Sequence, residues 1–253
     1  MDAPRRIEQR YRVRFDEADA DGWLRPSGLL RYAQDMAWRH SEEAGFDRDW
    51  YTDRSMHWLV RNVALSIKER VTHGDTLTVS TEVIGWRHVW ARRRSEVRRV
   101  VGDAGATSGD VAAVVDTDWV LLTVTGRPAR VPGEIERYFS PGHTFTRSRV
   151  VLTEPPDGVV TLSTRVRPLD LDPMGHMNNA AYLDLVDDGL ARLPGSQRID
   201  RPDCYRVGYV RPALPGSALV VSSWPIAEGS IACRISNDAG DELTRVIVSQ
   251  TGA

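Results

Sequence analysis

The chain repeats itself. Arg12-Val13-Arg14 leads through Glu17-Ala18-Asp19 to Gly22-Trp23-Leu24-Arg25-Pro26, and 153 residues later Arg165-Val166-Arg167 leads through Asp170-Leu171-Asp172 to Gly175-His176-Met177-Asn178-Asn179. No gap is needed to align the two. They share the Arg-Val-Arg run, an acidic-x-Asp and a Gly three residues after that Asp, but only the second copy adds a His and two Asn. A duplicated folding unit with a single chemical site is the economical reading.

The repeat divides the 253 residues into two units, each of a size that can bury its own core. The expected halves are residues 1–135 and 155–253. A formal net charge of −2 gives no electrostatic footprint for nucleic acid, so no nucleic-acid partner is expected. Lys68 is the only lysine; the rest of the positive charge is arginine, which reads as a codon-usage bias. Cys204 and Cys233 are the only cysteines and have neither a disulfide framework nor metal spacing, which favours a reduced, cytoplasmic protein. Met1 to Arg14 lacks the apolar stretch of a signal peptide, and no apolar run approaches the ~20 residues of a membrane span.

Each copy begins with a short strand, Tyr11 to Phe15 and Leu162 to Arg167, followed by a loop and a helix. The first helix is expected from Pro26, a residue suited to the first helical position, with Leu29, Leu30, Ala33, Met36, Ala37 and His40 on one stripe and Gly45 closing it. In the second copy Asn179 is the expected N-cap. There the stripe is Tyr182, Leu183, Val186, Leu190 and Leu193, ended by Pro194-Gly195, and Gly189 within it would let a backbone approach closely.

Beyond the helices the pattern changes to period two and the repeat resumes at an offset of 142, aligning His73-Gly74-Asp75-Thr76-Leu77 with Pro215-Gly216-Ser217-Ala218-Leu219. Strands are expected at Ala64–Glu69, Leu77–Ile84, Val89–Val97 and Asp116–Val124, then at Tyr205–Arg211, Ala218–Trp224, Ser230–Ser236 and Leu243–Ser249. The stretch from about Val131 to Gly158, with its Pro and Gly residues, reads as the linker. A strand, a helix and then about four antiparallel strands is an α+β layout in which a curved sheet can wrap one central helix. This resembles the hotdog fold, and two tandem copies resemble a double hotdog.

The run Asp170-Leu171-Asp172-Pro173-Met174-Gly175-His176-Met177-Asn178-Asn179-Ala180-Ala181-Tyr182 sharpens that likeness. It resembles the active-site turn and helix start of hotdog thioesterases, Asp-x-Asp-x-x-Gly-His-x-Asn-Asn-x-x-Tyr. Trp38-Arg39-His40-Ser41 to Gly45-Phe46, with Asp118-Trp119-Val120, resemble the N-terminal half of acyl-carrier-protein thioesterases of the plant plastid type and their bacterial relatives. The chain departs from the plant-type pattern in two places. Met174 stands where that family has Asn, and its later Glu-Cys pair falls on Pro212 and Ala213. A cysteine mechanism therefore has no support. The Asp-Pro-x-Gly run is closer to 4-hydroxybenzoyl-CoA thioesterase-like hotdogs, whose Asp is the catalytic carboxylate.

The resemblance implies hydrolysis of a fatty acyl thioester of acyl carrier protein or coenzyme A. A carboxylate must serve as base or nucleophile, which puts the weight on Asp172. The oxyanion needs preorganised donors, expected from the helix start at Asn179 and Ala180. His176 and Asn178 could orient the water or the thioester carbonyl. Thiolate leaves readily, so no metal or cofactor is expected. The structural alternative is that Asn179 only caps the helix, His176 is an ordinary loop histidine and Asp172 makes a turn with Pro173. The first-copy counterparts Asp19, Trp23 and Arg25 read as structural or pocket-forming.

Other residues carry weaker expectations. Asp187 lies along the apolar stripe of the second helix and either lines the site or sits at the helix edge. Seven of the eight tryptophans lie in the first half, where they could set the depth of an acyl pocket or simply fill the core. Arg92-Arg93-Arg94 with Arg98-Arg99 could dock an acidic carrier protein or be a solvated strand face. Rival readings are an acyl-CoA thioesterase of the same fold, a hotdog hydratase or dehydratase, and a non-catalytic acyl-thioester binding module. A double hotdog pairs its sheets within one chain, which leaves both monomer and homodimer open.

Overall fold

The computed structural model describes residues 6–100, 109–139, 145, 146, 149–197, 199, 201–227 and 229–250. It divides into two compact units, one of residues 1–61 with 67–147 and the other of residues 62–66 with 148–253.

In the first unit β1 (Arg6–Arg12) leads to α1 (Pro26–Glu43), a short α2 (Arg48–Asp53), β2 (Met56–Ile67), β3 (Thr76–Arg87), β4 (Trp90–Arg99), β5 (Val111–Thr123) and α3 (Gly133–Phe139). The strand order is β1-β3-β4-β5-β2. The pairs β1/β3, β3/β4 and β4/β5 are antiparallel, with register shifts at Val83/Gly85 and Val97/Arg98 that allow the sheet to bend. The apolar stripe of α1, Leu29, Leu30, Ala33, Met36 and Ala37, is buried, and α1 packs on β3, β1, β4 and β5. Pro26 is its first residue and Gly45, at φ +81°, follows its end, as the sequence predicts.

The second unit holds β6 (Val160–Arg165), α4 (Ala181–Leu190), β7 (Cys204–Tyr209), β8 (Ala218–Ala227), β9 (Ser230–Asn237) and β10 (Glu242–Ser249), together with residues Asn62–Ser66 of β2, which pair antiparallel with β7. Its order β6-β8-β9-β10-β7 is that of the first unit, strand for strand. Here α4 packs on β8 and β6. At Gly189 it is side chains rather than a backbone that come close: a Cβ there would lie 2.9 Å from Ser223 Oγ and 3.0 Å from Val221 Cγ1.

The hydrogen bonds reproduce both sequence offsets. Val13 N–H donates to Asp75 O and Leu24 N–H to Val71 O; in the second unit Val166 N–H donates to Ser217 O and Met177 N–H to Ala213 O. Each donor pair is separated by the longer offset and each acceptor pair by the shorter.

Several expectations need correction. β1 covers Arg6–Arg12 rather than Tyr11–Phe15, and β5 begins at Val111 rather than Asp116. The 131–158 stretch is not only a linker, because α3 lies in it and buries Ile135 and Phe139; residues 140–144, 147 and 148 of that stretch lie outside the described residues. β2 begins at Met56, well before Ala64, since its Met56 to Val63 stretch is only partly buried and does not alternate cleanly. α4 ends at Leu190, short of Pro194, because the Arg192 and Leu193 N–H groups bond three residues back, to the Gly189 and Leu190 carbonyls, instead of four. Among the described residues no helix is long and apolar enough to cross a membrane.

Candidate active site

The armed turn is a small hairpin set on the start of α4. Leu171 and Met177 form an antiparallel bridge, Asp172 N–H donates to His176 O at 3.0 Å, and Gly175 N–H donates to Asp172 O at 2.9 Å. Gly175 sits at φ +80°, a conformation that disfavours a side chain. The matching first-unit turn has the same bonds, Asp19 N–H to Trp23 O and Gly22 N–H to Asp19 O, with Gly22 at φ +83°. Both turns follow an Arg paired with an acid three residues on, Arg14 with Glu17 and Arg167 with Asp170.

With the scaffold held constant, the carboxylates differ. Asp19 Oδ1 accepts two backbone N–H groups of its own turn, from Asp21 at 3.0 Å and Trp23 at 2.8 Å. Asp172 Oδ1 accepts one, from Met174 at 2.9 Å, and its Oδ2 faces His176 Nδ1 at 3.6 Å. His176 Nδ1 also lies 3.3 Å from Met177 O, so a proton on Nδ1 serves both acceptors and leaves the Nε2 lone pair available. The turn role of Asp172 and a chemical role are thus compatible, because they use different oxygens.

The helix start differs from expectation. Ala180, not Asn179, holds the cap position, and no side chain caps it; Asn178 Oδ1 accepts from Ala180 N–H at 2.9 Å and Asn178 C=O from Ala181 N–H at 2.9 Å, in a turn just ahead of the helix. α4 begins at Ala181, one residue later than a cap at Asn179 predicts. Ala180 N–H is thereby engaged. Asn178 keeps its Nδ2 amide, and among the described residues Asn179 N–H makes no hydrogen bond. These are two donors on the segment that joins the turn to α4.

Two buried tyrosines hold this arrangement. Tyr182 OH accepts from Ala213 N–H at 2.9 Å, and Ala213 O accepts from Met177 N–H, so the position of the plant-type Cys is a backbone clamp on the turn. Burial, reinforced by the charge of Asp172, pushes the Tyr182 phenol up to about 12. Tyr209 OH donates to Asn179 O at 2.7 Å, and the two rings meet edge to face at 5.5 Å. Tyr182 was visible as the last residue of the motif; Tyr209 gave no signal beyond strand periodicity.

The weaker candidates are placed elsewhere. Asp187 is half-buried on α4 and accepts from Tyr205 OH at 3.1 Å, a contact with β7 rather than with the turn. Cys233 is fully buried beside Ser223, and burial pushes its thiol up to about 12, far from a thiolate. The arginine run is not a free basic patch. Arg92 pairs with Asp118, Arg94 with Asp116 and Arg98 with Glu96, while Arg93 points to the opposite face and is buried. Trp50, Trp58 and Trp86 pack around the cluster of Phe46, Tyr51, Val83, Leu121 and Phe139 in the first unit.

Two tandem hotdog units, one of which sets an Asp-His-Asn turn against the start of its helix, define a double-hotdog thioesterase. The N-terminal domain model of acyl-ACP thioesterases matches residues 4–139 and the C-terminal domain model matches 154–249. The chain belongs to the acyl-ACP thioesterase family, and its reaction is the hydrolysis of a fatty acyl thioester. In fold it is similar to an acyl-ACP thioesterase from Bacteroides thetaiotaomicron, with 16% identity, TM-score 0.82, and 97% of each chain covered. It is likewise similar to the 12:0-ACP thioesterase from Umbellularia californica, with 18% identity, TM-score 0.79, and 98% of this chain and 97% of that one covered. A search of curated protein sequences finds no match.

Proposed function

We propose that the chain releases free fatty acid from acyl-carrier-protein thioesters at a single site in the second unit, with Asp172 as the general base, His176 and Asn178 as its partners, and Asn179 N–H as an oxyanion donor. The observation that carries this reading is the spared Oδ2 of Asp172 beside His176, set against Asp19, whose turn draws two hydrogen bonds to one oxygen. Asp172 takes a proton from water as the water oxygen bonds to the thioester carbon. The carbonyl oxygen gains charge and is met by Asn179 N–H and Asn178 Nδ2. Collapse of that adduct breaks the C–S bond and the thiolate leaves with a proton from the site or solvent. The first unit, lacking the His and Asn, holds the acyl chain in its aromatic interior.

Thiol release from a series of acyl-carrier-protein and acyl-CoA substrates tests this. Turnover with the carrier-protein series favoured in kcat/KM is the expected result. Preference for CoA would move the chain to the acyl-CoA reading, and acyl binding without turnover would identify a binding module.

A further inference from the structure

Among the described residues, the interior face of the first unit contains a buried cation with no counter-charge and two indole N–H groups with no acceptor. Arg93, on β4, is only 7% exposed, and its partners are His40 Nδ1, at 2.8 Å from Nη1, and the face of Phe139, 5.7 Å from its guanidinium. Among the described residues no carboxylate pairs with it, whereas its neighbours Arg92 and Arg94 on the other face each have one. Burial lowers its guanidinium to about 10, which still leaves it charged at neutral pH. A buried cation without a counter-charge is costly to keep, and such groups concentrate where a ligand supplies what is missing.

A second observation is independent of the first. The indole N–H groups of Trp86 and Trp119 are buried and have no hydrogen-bond partner among the described residues. Strand register brings them to the same place. Ala91 on β4 is opposite Trp86 on β3 and opposite Trp119 on β5, and Arg93 is the next residue of β4 on that face, level with Val83 and Thr117. In-register neighbours have their Cβ atoms roughly 5 Å apart and diagonal ones roughly 7 Å, within reach of Arg and Trp side chains. Trp86 and Arg93 both flank Phe139, the Trp86 ring at 6.2 Å. The small side chain between them is Ala91.

The group is made of donors. Indole N–H and guanidinium N–H cannot accept, so the complementary ligand atom is an oxygen that accepts and need not donate. We infer that the interior of the first unit around Ala91 receives a carbonyl-type oxygen, keto or carboxylate, carried on the distal part of the substrate's acyl chain, with Arg93, Trp86 and Trp119 as its donors. This rests on the acyl-holding role proposed above for the first unit. It predicts a substrate class distinct from plain saturated chains, because a plain chain leaves both indole N–H groups without an acceptor and the Arg93 cation without a counter-charge.

The test uses the full-length protein and acyl thioesters of one chain length on one carrier: unsubstituted, hydroxylated near the tail, with a keto group near the tail, and with a terminal carboxylate. The expected result is a kcat/KM for the keto or carboxylate substrate about tenfold to a hundredfold above that of the unsubstituted one, the size expected when buried polar groups gain their missing partner. The hydroxyl substrate should gain less. Arg93→Met should bring the carboxylate-to-plain ratio toward one, and Trp86→Phe should do so for the keto-to-plain ratio. Equal kcat/KM for all four substrates on the unaltered protein, or a preference for the plain chain, overturns the inference and assigns the donors to bound water. Failure of the hydrolase reading is distinguishable, since no substrate would then release thiol. In that case titration with the corresponding free acids, followed by tryptophan fluorescence, decides: tighter binding of the oxygenated acid supports the site, and equal or weaker binding refutes it.

Discussion

Asp172 Oδ2 lies 3.6 Å from His176 Nδ1, while Asp172 Oδ1 is held by the N–H of Met174. One oxygen keeps the turn and the other is left for chemistry. In a single turnover performed in ¹⁸O-labelled water, a general base at Asp172 places the heavy oxygen in the fatty acid product. If Asp172 were the nucleophile, a mixed anhydride would form, and water attack at its Asp172 carbonyl would leave the label in the carboxylate and a protein oxygen in the first product, an outcome that contradicts the general base. Mass spectrometry of product and protein reads the two outcomes directly.

Asn178 has two jobs on two atoms, which substitutions can separate. Asn178→Asp retains the oxygen that accepts from Ala180 N–H but replaces the Nδ2 donor by negative charge. It should keep stability while kcat falls. Asn178→Ala loses both and should be less stable by about 1 kcal/mol as well. On the proposed mechanism, in which the imidazole acts on the reacting groups rather than on the acyl tail, His176→Ala should lower kcat more than KM. Unchanged kcat in both the Asn178 and His176 variants would return the loop to a purely structural role.

Two glycines should respond for different reasons. Gly189→Ala drives a Cβ toward Ser223 and Val221 and should destabilise the second unit by about 1 to 3 kcal/mol. Gly175→Ala meets open space, so its cost is the φ of +80° alone, about 1 to 2 kcal/mol. Denaturant midpoints measure both, and the Gly175 variant should also lose activity through the turn.

The repeat, with its two offsets, was the most legible part of the fold, because it fixed the number of units and the alignment of their turns before any strand was assigned. Asp172, His176 and Asn178 stood out for the same reason: they are what the second copy has and the first lacks. The helix start was misplaced because the cap position falls on Ala180, which has no capping side chain, while the Asn178 side chain spends its oxygen on a turn ahead of the helix. Tyr209 and Ala213 were hidden because their roles come from a long-range hydroxyl contact and from backbone groups, which leave no mark on composition or period. Arg93 was hidden within a run of three arginines until strand alternation turned it inward.

Alkaline pH should destabilise the protein. Burial raises the Tyr182 phenol from 10.0 to about 12, so its neutral form is favoured in the fold. That contribution is complete below pH 10.0 and is lost as pH rises through about 12. Tyr209, raised in the same direction by burial, adds to the loss. Thermal unfolding across this range should show the decline, and Tyr182→Phe should make it shallower. A pH-independent midpoint in the unaltered protein would contradict the buried, neutral state of the tyrosine pair.

The central claim is that one fold occurs twice and only the second copy performs the chemistry. Its most direct test is kcat/KM over a series of acyl chain lengths for Asp19→Asn and Asp172→Asn, with folding of each checked by circular dichroism. Asn can hold the turn in both places, so both variants should fold. Asp172→Asn should lose roughly 10² to 10⁴ in rate at every chain length, whereas Asp19→Asn should stay near the unaltered enzyme. Equal loss in two folded variants would contradict the account and mean that both copies contribute to the chemistry.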